Sequence, residues 1–244
     1  MHYYQLLFLI LFLACGSPDR EAVEQESGEV EDSLTHSQNL VASTPQSPSA
    51  PPAQDTIVPD YDTTQWLEVI HLDPTVRMDL RYATDNNFVG EQMYDCGRCW
   101  LRPKVARAVV RAHQNLQERG YGLKMYDCYR PGPYQQRLWD KVPDPRYVAN
   151  PARGSVHSRG AAVDLTVVDF ETGEELDMGT DYDFFGEAAY TTTTDLPAEV
   201  LANRQILQDA LLAEGFLTIR TEWWHFNFSG PRYELSEDVW PCPN

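Results

Sequence analysis

The stretch Ser155-Val156-His157-Ser158-Arg159-Gly160-Ala161-Ala162-Val163-Asp164 decides how this chain reads. It places a histidine and an aspartate seven residues apart, with the aspartate inside an apolar, β-rich run from Ala161 to Val168. A lone carboxylate between Val163 and Leu165 would be costly to bury, and a metal or another cation removes that cost. Further along, Glu222-Trp223-Trp224-His225 adds a second histidine with a carboxylate three residues before it. Two imidazoles and one carboxylate suffice as the protein ligands of a catalytic Zn²⁺, which keeps its fourth position for water. Glu222 is then free to handle that water's proton. The assembly implies hydrolytic chemistry. It also carries a geometric demand: on a flat strand Glu222 and His225 would face opposite sides. They share a site only if the backbone turns or bulges near Trp223.

Around these motifs the pattern is of mixed helices and strands. Pro103 to Glu118 reads as an amphipathic helix, with Pro in its first turn, Val105, Val109, Ala112 and Leu116 on one face, and Gly120 just past its end. Gly122 to Asp127 is strand-like and leads to Tyr129-Arg130-Pro131-Gly132, where Pro-Gly enforces a turn. Further helices are expected at Tyr134 to Lys141 and Pro197 to Glu214, the latter stopped by Gly215. Phe216 to Arg220 and Trp223 to Phe228 read as a closing hairpin. Strict βαβ alternation is missing, so the class is α+β: one domain with a small, mostly antiparallel sheet flanked by helices.

The first quarter of the chain reads differently. Tyr3 to Ala14 is an apolar run with the length of a signal-peptide core, too short for a spanning helix, and Ala14 precedes Cys15. Leu13-Ala14-Cys15-Gly16 resembles a bacterial lipoprotein cleavage site, at which the cysteine is lipidated. It departs from that pattern in having no Lys or Arg before the apolar run and Phe12 three residues before the cysteine. Residues 16–62 hold ten acidic residues and one arginine, half of the chain's net charge of −18. With few large apolar side chains, that segment reads as a disordered acidic tether. The expected division is therefore a signal segment over 1–15, a linker over 16–62 and a folded domain over 63–244. The implied location is exported: a periplasmic or cell-envelope lipoprotein, anchored to the outer membrane or cell surface through Cys15. No basic stripe appears, which argues against nucleic acid as a partner.

Setting Cys15 aside leaves Cys96, Cys99, Cys128 and Cys242, an even number that permits three pairings. In an oxidising compartment two disulfides are the expected fate, ahead of a zinc or redox role for the single Cys96-x-x-Cys99. His2, His36, His71 and His113 read as ordinary surface or core histidines. By themselves Arg130 before its turn, Asp183 among aromatics and Tyr82 in Arg81-Tyr82-Ala83-Thr84 carry no assignment either.

Together these residues resemble the VanX-like D-alanyl-D-alanine dipeptidases, zinc enzymes sharing a fold with D,D-carboxypeptidases and the hedgehog signalling domain. The SxHxxGxAxD signature is present as Ser155, His157, Gly160, Ala162 and Asp164, and ExxH as Glu222 to His225. Arg81-Tyr82-Ala83-Thr84 with Asn87-Phe88, Tyr129-Arg130-Pro131, Asp164-Leu165-Thr166 with Thr172-Gly173-Glu174, and Met178-Gly179 leading to Asp183-Phe184 also agree. The double tryptophan and the Met-Gly…Asp-Phe block favour the dipeptidases over the carboxypeptidases. The resemblance implies one Zn²⁺ per chain held by His157, Asp164 and His225, with Glu222 as general base and later acid. It implies that Arg130 stabilises the oxyanion and that Asp183 and Tyr82, helped near Ser155, hold the free amine of a small D,D-dipeptide. A carboxypeptidase trimming peptidoglycan stem peptides and a non-catalytic zinc module that binds cell wall are the competing readings.

Overall fold

The structure, a computed structural model, describes residue 59 and residues 61–242. The expected signal segment and nearly all of the expected acidic tether, Cys15 included, lie outside the described residues, as do His2 and His36.

Among the described residues, seven strands and four α-helices follow one another. They are β1 (Leu67–Glu68), α1 (Val69–Leu72), β2 (Arg77–Met78), β3 (Trp100–Leu101), α2 (Pro103–Gln117), β4 (Tyr121–Asp127), α3 (Gly132–Lys141), β5 (Ala162–Asp169), α4 (Ala198–Ala213), β6 (Phe216–Thr218) and β7 (His225–Phe228). A five-stranded sheet runs in the order β2-β4-β5-β7-β6, and a two-stranded antiparallel ribbon joins β1 to β3. Only β2 and β4 run parallel. This is the α+β class with a mostly antiparallel sheet that the sequence pattern implied.

The central strand is β5. Its residues from Ala162 to Val168 are all buried, so both faces of the strand are covered. That explains the near-continuous apolar run in place of alternation. α2 packs against β4, and α4 packs against β5, β6 and α2. α2 buries Val105, Val109, Ala112 and Leu116, the face its periodicity assigned. His113 sits on that buried side as well. Its Nδ1 accepts the Leu123 backbone N–H at 2.9 Å, tying α2 to β4.

The expected hairpin is corrected at one point. β7 begins only at His225, so Trp223 and Trp224 lie in irregular backbone and not in a strand. Both indoles are buried, and Trp223 Nε1 donates to Thr180 Oγ1 at 2.8 Å. Pinning the two indoles here provides the turn that Glu222 and His225 need to reach one site.

Two disulfides form, Cys96–Cys242 and Cys99–Cys128, one of the three pairings open to the four cysteines. The first holds the C-terminal segment against the domain. There Trp240 joins Trp66, Trp100 and Tyr129 in an aromatic cluster, with Tyr61 against its edge. Tyr61, which the sequence placed in the tether, also accepts the Glu68 backbone N–H on its hydroxyl at 3.0 Å.

Candidate metal centre and its surround

The sheet register assembles the centre. Asp164 on β5 stands opposite His225 on β7 and, beyond an irregularity between Met125 and Asp127, opposite Asp127 on β4. Directly opposed residues on neighbouring strands share a face. Three chemically active side chains thus stand in one row across the middle of the sheet. His157 reaches the row from a single 3₁₀ turn, His157–Arg159, which ends at Gly160 in the left-handed conformation, φ 66°. A Cβ at Gly160 would lie 2.3 Å from the Trp66 ring, so glycine is required there for space as well as for φ.

His157, Asp164 and His225 bring their donor atoms together. His157 Nε2 lies 3.2 Å from His225 Nδ1 and 3.4 Å from Asp164 Oδ1, while His225 Nδ1 lies 2.9 Å from the same oxygen. Other contacts of each ring fix its tautomer. His157 Nδ1 donates to the Cys128 carbonyl at 2.7 Å, leaving a lone pair on Nε2. His225 Nε2 donates to Asn227 Oδ1 at 3.0 Å, leaving a lone pair on Nδ1. Two imidazole lone pairs and a carboxylate oxygen therefore face one another in a buried place. Such a set repels itself unless a cation sits among the donors. These N and O donors, held by outward hydrogen bonds, suit Zn²⁺ with its bond lengths of about 2.0–2.2 Å. The residues fit the metal.

The surrounding contacts are as specific. Tyr182 donates its hydroxyl to Asp164 Oδ2 at 2.9 Å, leaving Oδ1 for the ligand cluster. Glu222 Oε2 lies 3.9 Å from His225 Nδ1. Burial raises the Glu222 pKa, and the charge of Asp164 adds to this against the opposing effect of His225, His157 and Arg130. Arg130 is buried beneath the site. Its Nη2 and Nε meet Asp127 Oδ2 at 2.6 and 3.1 Å, its Nε also reaches the Tyr94 hydroxyl at 2.9 Å, and Nη1 donates to Gln135 Oε1 at 3.1 Å.

Asp183 is the only described non-glycine residue with positive φ, 59°, and so occupies a conformation that Asp tolerates better than most. Tyr82 donates its hydroxyl to Asp183 Oδ2 at 3.0 Å. Burial lifts the Asp183 pKa well above the usual carboxylate range, and nearby Asp164 pushes the same way. A cation brought by a ligand would relieve both. Ser155 is buried at the cavity wall, its Oγ accepting the His157 backbone N–H at 3.2 Å. Arg130, Tyr82, Asp183, Ser155, Glu222 and His225 all line one cavity of about 340 Å³. A larger cavity, about 570 Å³, touches Tyr182 from elsewhere and holds none of the ligand donors.

Every residue singled out from the sequence thus meets in one place. Sequence reasoning missed Asp127, Tyr94, Gln135, Tyr182 and Asn227. Asn227 carried a local signal, since it follows His225 by two on a strand and so shares its face. Asp127 and Gln135 are near Arg130 in sequence, three before and five after it, while Tyr94 and Tyr182 reach the site through tertiary packing.

Two histidines and an aspartate placed so that they could hold a metal ion, with a half-buried carboxylate and a buried arginine beside them, are the arrangement of a metallopeptidase. Residues 62–239 match the model of the Peptidase_M15 family, described as D-ala-D-ala dipeptidase, and the chain belongs to that family. It is similar to the D-alanyl-D-alanine dipeptidase of Escherichia coli (strain K12), 36% identical over 182 residues, which cover 74% of this chain and 94% of that protein. The D-alanyl-D-alanine dipeptidase of Enterococcus faecalis (strain ATCC 700802 / V583) is 31% identical over 178 residues, 65% of this chain and 88% of that protein. That of Streptomyces coelicolor (strain ATCC BAA-471 / A3(2) / M145) is 31% identical over 175 residues, 62% of this chain and 85% of that protein.

Proposed function

We propose that this chain hydrolyses D-alanyl-D-alanine to D-alanine, using one Zn²⁺ held by His157, Asp164 and His225. The convergence of two imidazole lone pairs and a carboxylate oxygen beside Glu222 carries the reading. A bound zinc ion supplies Lewis acidity at the scissile carbonyl and lowers the pKa of water toward about 7. Glu222 takes the proton of the attacking water and returns it to the departing amine. Its raised pKa suits both halves of that exchange. Arg130, kept rigid by Asp127, Tyr94 and Gln135, offers fixed positive charge where the carbonyl oxygen becomes anionic. Asp183, oriented by Tyr82, receives the substrate's ammonium group. The amine then stands at a set distance from the scissile bond, so a longer N-terminal extension meets the Asp183 wall. Ser155 holds the His157 loop at the rim.

The test is to incubate the zinc-loaded protein with D-Ala-D-Ala and with a muramyl pentapeptide and to measure released D-alanine. The dipeptide should be cleaved and the pentapeptide spared. Release from the pentapeptide alone would make the chain a carboxypeptidase instead.

We further propose that the domain is exported, joined by the acidic linker to a lipid on Cys15, and serves turnover of cell-wall dipeptides. The two disulfides support this, since such bonds persist in oxidising compartments. Fractionation that finds the protein in the cytosol with residues 1–15 intact would refute it.

A further inference from the structure

A second cavity of about 380 Å³ adjoins the catalytic one, and the two share a wall made by Arg146, Tyr147, Phe185, Thr221 and Glu222. The Tyr147 and Phe185 rings pack at a tilt of 37° with centroids 4.2 Å apart, joining the loop after α3 to the loop that carries Asp183. Of these two cavities, Arg220, Tyr190 and Phe184 line the outer one alone, while Arg146 lines both. Arg220 lies over the Tyr190 ring, 4.7 Å from Cζ to centroid, and makes no ion pair among the described residues. Arg146, itself exposed, is held by half-buried Asp144, with Nη2–Oδ2 at 2.5 Å. Two arginines converging on one cavity stand out in a chain of net charge −18.

We propose that this outer cavity is a carboxylate subsite, in which Arg220, aided by Arg146, receives the C-terminal carboxylate of the leaving residue. The proposal rests on the dipeptidase reading and adds to it the recognition of the substrate's second end. A free dipeptide is a zwitterion. Its ammonium is drawn to Asp183 and repelled by the arginine-lined side, so its carboxylate points toward Arg220 and Arg146. Asp127, Tyr94 and Gln135 engage three of the five N–H groups of Arg130, and the two that remain are assigned to the oxyanion, which leaves the carboxylate to another cation. Arginine is suited to this task because its planar fork matches a carboxylate.

Two measurements test it. The first compares kcat/KM for D-Ala-D-Ala and for its C-terminal amide in the wild type, Arg220→Met and Arg146→Met. The wild type should favour the free acid, and Arg220→Met should shrink that preference about fivefold, mainly through KM, as expected for an exposed charge pair. Arg146→Met should shrink it less, since Asp144 already engages that side chain. The second is calorimetric titration of the same proteins with D-alanine and D-alaninamide, which reads the subsite even if no dipeptide is cleaved. Tighter binding of the acid by the wild type, lost in Arg220→Met, would support the subsite with or without hydrolysis. Equal handling of acid and amide by the wild type, or an acid preference that survives in Arg220→Met, would overturn it.

Discussion

The hydroxyl of Tyr182 donates to Asp164 Oδ2 at 2.9 Å, while the other oxygen of that carboxylate faces the two histidines. One hydrogen bond therefore decides which oxygen is presented to a metal. Asp164 sits in the buried centre of β5, with His225 and His157 at its other oxygen.

Tyr182→Phe keeps the ring that packs on Tyr126 and Trp224 and removes only the donor. Metal affinity should fall by roughly 10–100-fold, the usual cost of losing an outer-shell partner. Competition with a chelator of known affinity measures it, and an unchanged affinity would show that Asp164 needs no such orientation.

Glu222 and His157 should separate by what they lose. Glu222→Gln should retain one zinc per chain while turnover drops by roughly 10²–10⁴-fold, the share of a general base. His157→Ala should lose the metal itself, because two donors remain where three converged. Metal analysis beside a kinetic assay distinguishes the two. Full zinc occupancy in His157→Ala would remove that residue from the ligand set.

Asp127 is buried and anchors Arg130 through two donors. Asp127→Asn removes the charge and leaves the guanidinium buried without its counterion, at a cost of roughly 3–5 kcal/mol. Urea unfolding should register that loss, and kcat should drop in step as Arg130 shifts. A variant of unchanged stability would mean that Tyr94 and Gln135 suffice to hold it.

Acid stability should depend on His113. Burial lowers its pKa below the ordinary 6.5, against a smaller opposing pull from Asp73. The ring is neutral in the fold, with Nδ1 accepting from Leu123 and Nε2 beside Thr75 Oγ1 at 2.9 Å. Between the depressed folded pKa and 6.5 the unfolded chain binds more protons, so stability rises with pH there. His113 thus contributes fully above pH 6.5, and its contribution is lost as pH falls below that value, at up to about 1.4 kcal/mol per pH unit. Urea midpoints on either side of that pH should show the slope in the wild type. His113→Gln should flatten it, and an identical slope in both proteins would place the titration elsewhere.

Much of the centre was legible in the chain because its chemistry is clustered. Ser155 to Asp164 and Glu222 to His225 are short stretches whose residue types state a ligand set and a base. The helices α2 and α4 declared themselves by periodicity, Pro and Gly. Other features depend on partners distant in sequence. That His157 uses Nε2 and His225 uses Nδ1 follows from the Cys128 carbonyl and Asn227. That Glu222 can join His225 follows from Trp223 finding Thr180.

What the sequence determined by itself was the inventory: a metal-ligand set, a carboxylate to move protons, an arginine, and the α+β pattern to carry them. Local spacing and burial cost suffice for that, because each motif is contiguous. Tertiary structure alone decided the register that sets Asp127, Asp164 and His225 side by side across β4, β5 and β7. It alone chose one disulfide pairing among three and brought Arg146 and Arg220 to one cavity. Strand pairing, cross-links and cavity walls join residues far apart in the chain, and their geometry is set by the packing of the whole domain.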